Sequence, residues 1–243
     1  MATFLRPLSY RHQWLYDGIS RTAALTVGGE ARFRTLALQS LTLTPESPVL
    51  DLCCGSGQTT AFLVHYSQRV TGLDASPKSI ERAKRNVPQA SFVEGWAEKM
   101  PFEDDCFDLV HSSAALHEME PGQRQQIFAE TLRVLRPGGR VAIVDFHRPH
   151  NPVYWPGLAT FLWLFETHTA WAMLQADIPQ ELRDLGFQAV THRLYAGGSL
   201  QVVQAQKPPT SMEDSFSRST GVTTVAPVIA GVSTVTTVAM GIA

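Results

Sequence analysis

Five short, largely apolar runs constrain this chain more than any other feature. They occupy residues 48–52, 68–73, 91–94, 107–112 and 140–145. They do not alternate cleanly between polar and apolar, so each is expected to be covered on both faces. Helix-like stretches separate them. A parallel α/β sheet with helices on both faces is the architecture that satisfies both facts. Ser76-Pro77 is expected to open one helix, with serine as the cap, proline in the first turn, and Glu81 and Lys84 on the wet side. Another helix is expected to hold Thr60, Ala61, Phe62 and Val64. A third is expected from about residue 122 to 135, stopped by Arg136-Pro-Gly-Gly139, so that the fifth strand starts at residue 140.

Composition removes several function classes. Of 243 residues, 44% are hydrophobic and 17% charged, enough to build a core and too apolar for disorder throughout. The net charge of −2 and a pI of about 6.4 leave no basic field for nucleic acid. Three cysteines, two of them adjacent, make neither a disulfide framework nor a CxxC zinc pair, so no metal is expected and a reducing compartment fits. The start, Met1-Ala-Thr-Phe-Leu-Arg-Pro7, lacks the apolar core of a signal peptide. A cytoplasmic placement follows as the expectation.

Ligands of parallel sheets bind beyond the carboxyl ends of the strands. Asp51, Asp74 and Ser112 all fall at such ends. Between Asp51 and the next helix lies Gly55-Ser56-Gly57, where backbone can approach a ligand with no Cβ in the way. Asp74 then offers a carboxylate able to accept both hydroxyls of a ribose. The same pair occurs in nicotinamide-binding domains, and a tight strand-to-helix turn needs glycines with no ligand at all. The nicotinamide fingerprint would continue as G-x-G-x-x-G/A, and Thr60 stands at its third position.

Asp51-Leu-Cys-Cys-Gly-Ser-Gly57 resembles motif I of the class I S-adenosylmethionine methyltransferases, D-x-G-x-G-x-G, with Cys53 in place of the first glycine. Leu73-Asp-Ala-Ser76 resembles their second motif, and Glu94-Gly-Trp-Ala-Glu-Lys-Met-Pro-Phe102 the segment flanking adenine. Phe107-Asp-Leu-Val110 and Leu132-Arg-Val-Leu-Arg-Pro-Gly-Gly139 resemble the later motifs. The resemblance covers residues 46–148 and implies a Rossmann-like, mostly parallel seven-stranded sheet ending in an antiparallel hairpin. It implies S-adenosyl-L-methionine as cofactor. The ribose falls to Asp74 beside Ala75, the amino-acid part to backbone around Cys53, Cys54, Gly55 and Gly57, and the adenine to Ala97 and Glu98. Ser112 or Ser113 lines the cleft near the sulfonium. Asp51 either meets the cofactor's amino group or caps the following loop.

Val144-Asp-Phe-His-Arg-Pro149, Tyr16-Asp17, Leu25-Thr-Val-Gly28 and Ala196-Gly-Gly198 are similar to the ubiquinone/menaquinone-biosynthesis C-methyltransferases. The implied layout is an N-terminal helical cap over 1–45, the binding core over 46–148, and an apolar lid or insertion over 149–177. A C-terminal helix and hairpin over 178–207 complete the sheet, and a disordered tail spans 208–243. The implied acceptor is the ring carbon of an isoprenoid quinone precursor. Rivals are O-, N- or C-methylation of another small apolar molecule, a nicotinamide oxidoreductase and a non-catalytic cofactor-binding protein. That family's Arg-Asn pair aligns with His117-Glu118 here.

Ring methylation needs an electron-rich carbon, and removing a phenolic proton makes one. His117, in the loop after the fourth run, is the candidate base, titrating near 6–7; packing alone is the competing role. Tyr16 is the second catalytic candidate, with aromatic anchoring as its alternative. His111 lies inside the fourth run. The aromatic stretch from Phe161 to Phe165 has three readings: a core helix, a lid over an apolar substrate, or an interfacial helix admitting a membrane-dissolved quinone. From Ser219 onward the tail has no charged side chain, which sets an anchor by length against a disordered segment by composition.

Overall fold

The computed structural model describes residues 27–209. Tyr16 and nearly all of the tail lie outside the described residues. Seven strands form one sheet in the order β3-β2-β1-β4-β5-β7-β6. They are β1 (Val49–Leu52), β2 (Val70–Asp74), β3 (Ser91–Glu94), β4 (Phe107–Ser113), β5 (Leu135–Phe146), β6 (Gln188–Tyr195) and β7 (Leu200–Gln206). The first five are parallel; β7 runs antiparallel to both β5 and β6. The helices are α1 (Glu30–Thr35), α2 (Thr60–Leu63), α3 (Pro77–Asn86), α4 (Pro121–Val134), α5 (Trp155–Phe165), α6 (His168–Met173) and α7 (Ile178–Asp184).

Burial explains the apolar runs. Every residue of β1 is buried. One face of the sheet packs Ile127 and Phe128 of α4, Met173 of α6, and Ile178 and Leu182 of α7. The other packs Leu36, Ala37 and Leu38, which follow α1, together with Leu63 of α2. α3 starts as its capping pattern predicts: Ser76 Oγ accepts from the Ser79 N–H at 3.3 Å, with Pro77 in the first turn. Ile80 and Ala83 form its buried stripe, against Val87 and Phe92.

Two elements differ from the sequence expectation. β5 begins at Leu135 rather than residue 140. Leu135 pairs with Phe107 and Arg140 with Leu109, so Arg136-Pro-Gly-Gly139 is a bulge within the strand, not a loop before it. The Gly138 N–H donates to the Lys207 carbonyl at 3.0 Å and the Lys207 N–H to that of Gly139 at 2.8 Å, which pins the bulge to the end of β7. α2 has only four residues and ends before Val64, because the turn after β1 continues to Thr59.

The segment after β5 is fastened to the hairpin. His150 and Asn151 both donate backbone N–H groups to the Gly197 carbonyl, at 3.1 and 3.0 Å. α5 buries only Leu162 fully, against Ala170 and Leu174, while Trp163 stays 51% exposed. The core-helix reading is therefore overturned: aromatic rings on one side of α5 face outward, since a single helix cannot turn its whole circumference to the sheet. Among the described residues no helix is long and apolar enough to cross a membrane.

Gly197 carries a testable consequence. It sits at φ +63°, and a Cβ there would fall 2.2 Å from the Tyr154 ring. Gly197→Ala should destabilise the fold by about 1–3 kcal/mol in urea unfolding, through left-handed strain and overlap together. Tyr154→Ala in the same background should recover part of that loss.

Candidate active site

The turn after β1 is built by backbone conformation. Cys53, Gly55 and Gly57 all have positive φ, at 56°, 55° and 85°. Glycine adopts this region freely; Cys53 takes it against its own Cβ. The turn is held from two sides. Asp74 Oδ2 accepts the Gly55 N–H and Oδ1 the Ser76 N–H, both at 2.9 Å. Asn86 Nδ2, from the last turn of α3, donates to the Ser56 carbonyl at 2.9 Å. Asp74 remains half-buried, and its oxygens keep further acceptor capacity. Ala75 beside it is exposed.

Asp51 is only 1% exposed and accepts the Thr60 hydroxyl at 2.5 Å, which ties the end of β1 to α2. That is the loop-capping arrangement. His111, its register partner on β4, is fully buried with Nδ1 at 3.8 Å from Asp51 Oδ1. Ser112 Oγ and Ser113 Oγ, at the carboxyl end of β4, are buried without a hydrogen-bond partner. Ala97 is buried, and Glu98 accepts from the Gln123 side-chain amide. Burial, then the charges of Asp74 and Asp51, push the thiols of Cys53 and Cys54 far up, so both stay protonated at neutral pH.

The second part of the site lies at the ends of β4 and β5. His117 sits in a 3₁₀ turn (Leu116–Glu118) and is 1% exposed, not on an open loop. Its Nδ1–H donates to Asp145 Oδ1 at 2.8 Å, and its backbone N–H to Asp145 Oδ2 at 3.2 Å. Nε2 lies 3.5 Å from Glu166 Oε2, an ionic contact without hydrogen-bond geometry. Phe146 packs on the imidazole at 4.5 Å between ring centres. Burial opposes the imidazolium charge, but the Asp145 and Glu166 carboxylates outweigh it and hold the pKa up at about 10. The titration near 6–7 expected of a loop histidine is thereby corrected: the two carboxylates hold the imidazole's pKa well above that range.

Sequence reasoning missed Asp145 and Glu166. Asp145 carried a signal, being the acid that ends β5 as Asp51 and Asp74 end their runs. Glu166 carried none, since only the path of α5 brings it back to the strand ends.

A family model described as a methyltransferase domain matches residues 49–139. The chain is 54% identical over 206 residues to an uncharacterized methyltransferase of Synechocystis sp., covering 85% of this chain and 97% of that one. It is 30% identical over 204 residues to the demethylmenaquinone methyltransferase of Paenarthrobacter aurescens, covering 76% and 79%. The chain belongs to the class I S-adenosylmethionine-dependent methyltransferases. The phosphoethanolamine N-methyltransferase 2 of Haemonchus contortus, solved with phosphomonomethylethanolamine and S-adenosylhomocysteine, shares the fold. Its TM-score is 0.58 at 16% identity, over 74% of this chain and 53% of that one.

The methyltransferase uses S-adenosyl-L-methionine as its donor, and the residues present fit it. A Cβ at Gly55 would meet only Gln58 Oε1, at 3.5 Å, so ligand atoms have room above the turn. Asp74 keeps acceptor capacity that would suit a ribose diol, and the unpartnered hydroxyls of Ser112 and Ser113 stand at the end of β4.

Asp74→Ala should weaken donor binding by about 30–150-fold in calorimetry, the value of about 2–3 kcal/mol in hydrogen bonds to a charged group. The assignment requires the variant to stay folded. At pH 8, iodoacetamide should modify Cys53 and Cys54 at least about 100-fold more slowly than a free thiol. Guanidinium should abolish the protection, as peptide mapping of labelled sites would show.

Proposed function

We propose that this methyltransferase transfers a methyl group to the ring carbon of an isoprenoid quinone precursor in its hydroquinone form. The observation that carries the reading is a polar handle set in an aromatic wall. The buried His117–Asp145–Glu166 cluster packs against Phe146, whose ring is 5.7 Å from that of Phe161, itself 5.5 Å from that of Phe165. A hydroquinone has that character: a flat apolar ring bearing an oxygen to be held. The relative from Paenarthrobacter aurescens, named for demethylmenaquinone methylation, supports it.

The donor supplies an electrophilic methyl group on a sulfonium. The chain's own residues do the rest. Asp74, beside Ala75, and backbone from Cys53 to Gly57 hold the donor, with Ala97 and Glu98 bordering the adenine and Ser112 or Ser113 near the sulfonium. Asp51 neutralises the donor's amino group, directly or through water. His117 meets the acceptor's oxygen through Nε2, while Asp145 fixes the ring by holding Nδ1. Segment 149–177 acts as the lid that keeps water from the methyl, and the outward Trp155 and Trp163 give it an apolar face for peripheral contact with a membrane holding the substrate.

Labelled donor tested against demethylated menaquinols and ubiquinols, with simple phenols, catechols and amines as a panel, checks the reading. Label on the ring carbon of a quinol is the expected result. Label on oxygen or nitrogen, or transfer confined to the non-quinol compounds, would move the assignment to another small apolar metabolite. His117→Ala should lower turnover roughly 10²-fold through lost positioning of the acceptor and leave donor affinity nearly constant.

A further inference from the structure

The geometry points to a divalent-metal site at the carboxyl ends of β4 and β5, with His117 Nε2, Glu118 and Glu166 as its ligands. The inference deepens the reading above and rests on it, since the ion would sit where the acceptor's oxygen is held.

Among the described residues, the imidazole and carboxylate atoms of these three side chains lie within 4.8 Å of one another. The 3.5 Å between His117 Nε2 and Glu166 Oε2 matches the edge of a tetrahedral site with bonds of about 2.0–2.1 Å.

Proximity alone would not distinguish a metal site from an ion pair. The independent observation is the state of the imidazole. His117 is buried, and Nε2 has no hydrogen-bond partner although it is aimed at a carboxylate. The other nitrogen is fully committed: Nδ1–H donates to Asp145 Oδ1 at 2.8 Å. This is the arrangement by which proteins orient a ligating histidine, with a carboxylate holding one ring nitrogen and the other turned to the ion, which would take the place of the Nε2 proton. Asp145 is itself held, accepting the Phe146 N–H at 2.7 Å and the His117 N–H at 3.2 Å. The supporting shell is therefore as rigid as the strand that carries it.

Donor chemistry selects the ion. One imidazole and two carboxylates, with no thiolate, suit zinc or manganese rather than copper or an iron–sulfur centre. The two glutamates balance the ion's double charge. Three protein ligands leave a coordination position open, and His117 and Glu166 are buried beside Phe146. A phenolic oxygen bound there would be polarised and would lose its proton to water more readily, which enriches the ring carbon that takes the methyl.

The test uses the full-length chain, dialysed against EDTA and titrated separately with Zn²⁺ and Mn²⁺. Calorimetry and elemental analysis should give one ion per chain. His117→Gln and Glu166→Gln should each weaken binding at least about 100-fold, and Asp145→Asn about 10–100-fold, the range for outer-shell partners. Unchanged donor affinity in each variant certifies its fold. His168→Ala, at the exposed His168–Glu120 pair, should leave metal binding unchanged. Absence of stoichiometric binding, or equal binding by the His117→Gln/Glu166→Gln double variant, would overturn the site. Full-rate methyl transfer by metal-free protein would overturn the ion's role and leave the quinol reading intact. Metal binding with no quinol methylated would overturn the quinol reading and leave the site standing.

Discussion

Parallel strands β1, β2, β4 and β5 end on one edge of the sheet, and the chain order reverses there, with β2 on one side of β1 and β4 on the other. The loops leaving β1 and β4 must part in opposite directions, so a crevice opens between them. The candidate site residues hang from that edge. The glycine turn follows β1, Asp74, which closes it, ends β2, the unpartnered serines end β4, and Asp145 nearly ends β5. Because the strands are buried, the edge is rigid, and the groups mounted on it keep fixed positions.

Three aspartates at three strand ends do three different jobs. Asp74 grips backbone N–H groups on both sides of itself, so it shapes the turn before any ligand arrives. Asp51 spends its charge on a hydroxyl and sits beside a buried histidine. Asp145 holds His117 by ring and by backbone. A buried carboxylate is tolerated only where donors converge on it, and each of these has recruited them from a different source. The result is a turn braced through backbone groups beside a cluster built on side chains.

The acceptor half is completed from far away in the chain. β5 passes into a segment moored to the hairpin by Gly197, and α5 then runs back over the strand ends until Glu166 reaches His117. Without that mooring, the aromatic helix would have no fixed course and Glu166 no fixed place. The ring of Phe146 closes one side of the imidazole and continues into the rings of Phe161 and Phe165.

Much of this was legible in the amino-acid order. Apolar runs at regular intervals specify a parallel sheet, because a strand buried on both faces has no polar side to show. Ser76-Pro77 marks a helix start, since a hydroxyl cap and a ring-fixed φ act within one turn. The glycine turn and Asp74 announce the donor site for the same local reason. What the sequence could not express is set by distance. The start of β5 at Leu135 depends on pairing with Phe107 and on the grip of Lys207. The protonation of His117 depends on Asp145 and Glu166, which only folding brings to it. A loop histidine and a buried, carboxylate-flanked imidazole read identically along the chain, because burial and neighbouring charge, the two terms that set its chemistry, belong to the tertiary structure alone.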